Sequence, residues 1–115
     1  MKARTASFRH AFRGLRTLVA GQVNARIHLA ATVAVVAAGF AAGLSTLEWI
    51  AIVIAVSTVW SAEAINTALE LLADRTAPER HPLVGAAKDV AAAGVLVAAI
   101  CALIIGVLIF VPRIL

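Results

Sequence analysis

Three long apolar runs set the architecture of this chain. Leu29 to Leu44 holds no charged residue, nor does Trp49 to Ala62, nor Val90 to Val111. A helix that crosses bilayer hydrocarbon needs about 20 predominantly apolar residues. The third run meets this outright, and the first meets it when Ser45 to Leu47 are added. The second meets it only by continuing past Glu63 to Leu69. The pattern predicts three spanning helices, over about residues 28–47, 49–72 and 88–111. Ahead of them, Phe8, Phe12, Leu15 and Val19 recur at helical spacing beside a stripe of Arg9, Arg13 and Arg16. An apolar face with a basic flank predicts an amphipathic surface helix over about residues 7–23. Gly43-Leu44-Ser45-Thr46 reads as a tight turn, and Pro78, Pro82 and Gly85 make the second connection irregular. There is no internal repeat and no linker. The predicted fold is an all-α integral membrane protein in one domain, residues 1–115.

Composition agrees. The 115 residues are 63% hydrophobic, where a soluble domain has about 45–50%. The first apolar run starts too late, and runs too long, for a cleaved signal peptide. The single Cys101 lies in the third run, so one chain holds neither a disulfide nor a cysteine zinc site. Lys2, Arg4, Arg9, Arg13, Arg16 and Arg26 precede the first run, and Arg75, Arg80 and Lys88 lie between the second and third. Between the first and second there is only Glu48, and after the third only Arg113. The positive-inside rule therefore puts the N-terminus and the second connection in the cytoplasm. The net charge of +4 is accounted for by anionic lipid headgroups, with no nucleic-acid partner.

The second run is interrupted by Glu63-Ala64-Ile65-Asn66-Thr67-Ala68-Leu69-Glu70, with Asp74 one turn further on. Positions 63, 66, 67, 70 and 74 share one helix face. An ionisable residue inside a span marks a functional site. This stripe must face protein, water or a substrate headgroup, and three helices alone cannot wall it off from lipid. A homo-oligomer is therefore expected. Glu63 and Glu70 lie roughly 10 Å apart along the axis, too far to chelate one small cation side by side. They read as two tools at two depths. Glu63, the deeper, is suited to take a proton from a hydroxyl. Glu70 and Asp74 are placed to hold Mg²⁺, which takes one or two carboxylates plus substrate phosphates. Lys88-Asp89, at the expected start of the third span, is placed to meet phosphate. Neither a P-loop nor a G-x-G-x-x-G is present.

These residues resemble the small bacterial membrane diacylglycerol kinase family, which includes the undecaprenol kinases. Glu63 to Glu70 followed by Asp74-Arg75 is similar to its E-x-x-N-[ST]-A-[IL]-E-x-x-x-D signature. Ala87-Lys88-Asp89-Val90-Ala91-Ala92-Ala93 resembles its second motif, and Phe8 to Leu15 its surface-helix motif. Asn24-Ala25-Arg26-Ile27-His28 resembles a run common in the undecaprenol-kinase branch. The resemblance implies a homotrimer with composite sites at the cytoplasmic face of the bacterial membrane. It implies transfer of the ATP γ-phosphoryl to a lipid hydroxyl with Mg²⁺. Position by position it makes Glu63 the general base and Glu70 a metal ligand. It puts Asn66, Lys88, Asp89, His10, Glu79, Arg80 and His81 at the nucleotide. Ser7, Phe8, Arg9, Phe12 and Arg16, with Glu63, face the lipid substrate. Gln22 departs from the pattern, standing where the family has a metal-binding Glu. An amide still offers an oxygen but removes a negative charge beside a dication, so weaker metal binding is expected. The rival readings are a non-catalytic three-helix anchor and a small carrier with Glu63 as its proton-coupled site.

Overall fold

A computed structural model describes residues 2–77 and 79–115, so Pro78 of the second connection lies outside the described residues. Four helices follow in order: α1 Lys2–Gly21, α2 Val23–Ala42, α3 Thr46–Thr76 and α4 Pro82–Ile114. The last three are long and apolar enough to cross a membrane. Helices α3 and α4 pack along their lengths, while α1 and α2 lie more loosely against them.

The helix limits differ from the apolar runs for local reasons. Gln22 is extended at φ −123°, ψ 122°, which breaks α1 from α2 there. Helix α2 therefore begins at Val23 rather than near residue 28. It stops at Ala42, short of the expected 47, because Gly43 takes the left-handed conformation at φ 65°. Ser45 then starts α3 with a capping box: its hydroxyl accepts from the Glu48 N–H, and the Glu48 carboxylate accepts from the Ser45 N–H. At the far end α4 starts at Pro82, six residues earlier than expected, because proline is preorganised for the first helical position. An apolar run marks the hydrocarbon-crossing part of a helix. The helix itself continues through charged residues into the headgroup layer.

Side-chain pairs fix the register. Between α2 and α3, Gly39 meets Trp49, Thr32 meets Trp60 and His28 meets Glu63. Numbers fall on one helix as they rise on the other, so the two are antiparallel. Ion pairs bridge α3 and α4 at both ends, Glu48–Arg113 at one and Asp74–Lys88 at the other. Glu48 thus caps α3 and holds the end of α4.

This register sets depth. Helices of 31 and 33 residues are about 46 and 50 Å long, against about 30 Å of hydrocarbon. At 1.5 Å per residue from the Glu48 level, Glu63 lies about 22 Å along, Glu70 about 33 Å and Asp74 about 39 Å. With Glu48 at one interface, Glu63 falls inside the hydrocarbon, Glu70 at the opposite interface and Asp74 beyond it. The overhang carries only the outer end of the polar stripe, Glu70 and Asp74.

Gly39 is the tightest point of the hairpin. A Cβ there would come within 2.6 Å of Trp49 Cη2 and 3.1 Å of Leu44 Cδ1. The indole also meets the Phe40 ring, tilted at 50° with centroids 4.9 Å apart, so its retreat would disturb that contact. Gly39→Ala is expected to destabilise the protein by about 1–3 kcal/mol, the usual range for overpacking. Thermal unfolding in detergent measures it, and an unchanged midpoint would show that α2 and α3 do not meet here.

Candidate active site

The α3 stripe runs from buried to exposed. Glu63 is 1% exposed, Thr67 5% and Asn66 8%, while Glu70 is half-buried and Asp74 exposed. Glu63 Oε2, Asn66 Oδ1 and Thr67 Oγ1 are buried with no hydrogen-bond partner among the described residues. Each such atom costs about 1–3 kcal/mol. All three lie on one face of α3.

His28 Nε2 lies 3.6 Å from Glu63 Oε2, in ion-pair range but beyond a hydrogen bond. The sequence marked His28 only as part of a motif and as a polar residue at the start of a span. Its partner became visible only when α2 packed on α3. The same register carries Gln22 to about the level of Glu70. Six residues of α2 and seven of α3 cover about 9 and 10.5 Å from the His28–Glu63 rung. Gln22 sits at the α2 N-cap position, and its side chain makes no cap hydrogen bond. An uncommitted amide oxygen and a half-buried carboxylate at one level are hard oxygen donors suited to Mg²⁺. No group of three or more His, Cys, Asp or Glu that could hold a metal occurs among the described residues. The donor set therefore fits an ion that arrives with substrate phosphates better than one caged by protein.

Lys88 departs from expectation. Because α4 begins at Pro82, Lys88 lies nearly two turns inside the helix, about 9 Å past its start. The free N–H groups at that helix start are not beside it. Its ammonium instead donates to Asp74 Oδ1 at 2.6 Å and also feels the charge of Glu70. Lys88 therefore meets the outer end of the stripe directly, with Asp89 exposed next to it. It also lines a cleft of about 380 Å³ between the end of α3 and the start of α4, together with Thr76 and His81. His81 is the N-cap of α4, where its Nδ1 accepts from the Leu83 N–H at 3.2 Å. Glu79 and Arg80 are exposed in the connection.

The residues expected to face lipid lie on α1. Phe8 is 68% and Phe12 69% exposed, and Ser7, Arg9 and Arg16 are exposed as well. The Ser7 hydroxyl donates back to the Ala3 carbonyl. His10, also exposed on α1, lines a groove of about 580 Å³ between α1 and α3, with Leu18, Thr67 and Leu71. A second groove of about 450 Å³ runs between α2, α3 and α4 and is almost wholly apolar. His28, Thr32 and Trp60 mark its polar end.

A buried carboxylate is thus followed outward along α3 by an amide, a second carboxylate and the Asp74–Lys88 pair, a set of groups chemically able to serve phosphoryl transfer to an acceptor within the membrane. Comparison with known proteins agrees. The family described as prokaryotic diacylglycerol kinase matches residues 9–110, and the chain belongs to that family. It is a membrane lipid kinase, a phosphotransferase acting on an alcohol group. It is 42% identical over 107 residues to an undecaprenol kinase of Bacillus subtilis (strain 168), covering 93% of this chain and 87% of that one. It is also 42% identical over 113 residues to a diacylglycerol kinase of Synechocystis sp. (strain ATCC 27184 / PCC 6803 / Kazusa), covering 95% of this chain. The match spans only 63% of the Synechocystis protein's length. No solved structure matches the chain.

Proposed function

We propose that this protein transfers the γ-phosphoryl group of ATP to the hydroxyl of undecaprenol, with diacylglycerol as the second acceptor to be weighed. The buried Glu63 carboxylate, its Oε2 without a hydrogen bond and about 8 Å inside the interface, is the observation that carries the reading. A lipid alcohol presents its hydroxyl at that depth, while a water-soluble acceptor does not reach it. Glu63 accepts the hydroxyl proton as the oxygen attacks the γ-phosphorus and ADP leaves. Lys88 offsets phosphate charge, and Asn66 presents its unpaired amide oxygen to the nucleotide end of the stripe. Glu70 and Gln22 would hold Mg²⁺, which would supply charge neutralisation at the phosphates. His10, Glu79, Arg80, His81 and Asp89 surround the nucleotide's approach. On α1, Ser7, Phe8, Arg9, Phe12 and Arg16 meet lipid as the helix lies at the membrane surface.

The clustering of basic residues at this end supports a cytoplasmic location for it. The unpaired polar face and the exposed apolar flanks of α2 and α4 support a homotrimer whose sites are completed by a neighbouring copy. Similarity to the undecaprenol kinase over 93% of this chain and 87% of that one, against 63% of the diacylglycerol kinase, favours that acceptor.

The test offers undecaprenol and diacylglycerol side by side in detergent with labelled ATP, with Gln22→Glu run in parallel. ATP-dependent phosphorylation of undecaprenol by the parent protein is expected. Restoring the carboxylate at the level of Glu70 is expected to lower the Mg²⁺ needed for half-maximal rate about tenfold, a difference of about 1.4 kcal/mol in metal binding. Phosphorylation of neither lipid would remove the reading. An unchanged Mg²⁺ requirement in Gln22→Glu would remove Gln22 from the metal site.

A further inference from the structure

We propose that His28 is a positioning residue for Glu63, its imidazole holding the carboxylate in the orientation that receives the lipid hydroxyl proton. This rests on Glu63 being the base. A buried carboxylate with a free rotamer is a poor acceptor, because productive proton transfer needs the oxygen within hydrogen-bond reach of the hydroxyl. His28 is the one basic side chain within ion-pair range of Glu63 among the described residues, at 3.6 Å. That distance suits a partner that closes when substrate binds, since catalytic hydrogen bonds are often long before then. With its proton on Nε2, the ring donates toward Glu63 Oε2, the atom that otherwise lacks a partner.

The backbone beneath His28 is fixed independently. The Thr32 hydroxyl donates to the His28 carbonyl at 2.7 Å, and the Trp60 indole N–H donates to the Thr32 hydroxyl at 2.9 Å. Trp60 lies one turn from Glu63 on α3, and Thr32 one turn from His28 on α2. The Trp60–Thr32 bond is thus the rung next to the His28–Glu63 contact and sets its register. The ring also closes the polar end of the apolar groove between α2, α3 and α4 and keeps 20% of its side-chain surface exposed. One side of the imidazole addresses the base and the other stays accessible, as a positioning group that adjusts on substrate binding requires.

Two kinds of measurement decide it. In lipid phosphorylation, His28→Ala is expected to lower kcat about tenfold to a hundredfold with KM for ATP little changed. His28→Gln, whose amide N–H reaches similarly toward the carboxylate, is expected to recover most of that loss. Equal losses in the two variants, or no loss in His28→Ala, would overturn the proposal. Separately, the ¹⁵N signals of the His28 ring in the detergent-solubilised protein are expected to move on Glu63→Gln. Unmoved signals would overturn the contact whatever the kinetics. A parent protein that phosphorylates no lipid would instead remove the functional reading, and the ring signals would still judge whether His28 addresses Glu63.

Discussion

Glu63→Gln is expected to lower kcat for lipid phosphorylation by about 10²–10⁴-fold, the range supplied by a positioned general base. Glutamine keeps the volume and one oxygen but cannot take the proton. The chemical step should therefore slow while KM for ATP stays near its parent value, because the nucleotide meets the stripe further out. Stability should move the other way. Glu63 is 1% exposed with an unpaired oxygen, and a charge is costlier to bury than a neutral amide. The variant is expected to unfold at the parent temperature or above it. Labelled-phosphate transfer and thermal unfolding in the same detergent read both effects. A variant that phosphorylates lipid at the parent rate would remove Glu63 from the reaction.

The second large effect is expected at Lys88. Lys88→Met keeps most of the stem and removes the charge, and kcat/KM for ATP should fall by about a hundredfold. The competing explanation is that Lys88 serves only to join α4 to α3 through Asp74. Geometry separates the two. The Lys88 and Asp74 side chains are 36% and 67% exposed, and an exposed pair contributes little to stability. Asp74→Asn should therefore cost only a few-fold in rate, since it leaves the lysine its charge. If Asp74→Asn loses as much as Lys88→Met, the ion pair itself is what matters and the phosphate contact is lost from the scheme. Unfolding temperatures of both variants should stay close to the parent.

Much of this was legible along the chain. The apolar runs found the three long helices because hydrocarbon demands them. Helical periodicity put Glu63, Asn66, Thr67, Glu70 and Asp74 on one face, and along it Glu63 is buried, Glu70 half-buried and Asp74 exposed. The helix ends were less legible. Gly43 and Pro82 act through backbone conformation, which hydropathy does not report. Lys88 was expected at a helix start for that reason and lies nearly two turns inside α4.

The sequence by itself determined the all-helical class, the polar stripe and the membership signalled by its motifs. Those follow from properties of single segments: apolar length, periodicity and residue type. Only the tertiary structure decided that His28 faces Glu63 and that Asp74 pairs with Lys88. Each of these joins residues on different helices. Their meeting depends on the antiparallel register set by Gly39 against Trp49, Thr32 against Trp60 and Glu48 against Arg113. Register is a property of packed surfaces, and no periodicity within one helix contains it.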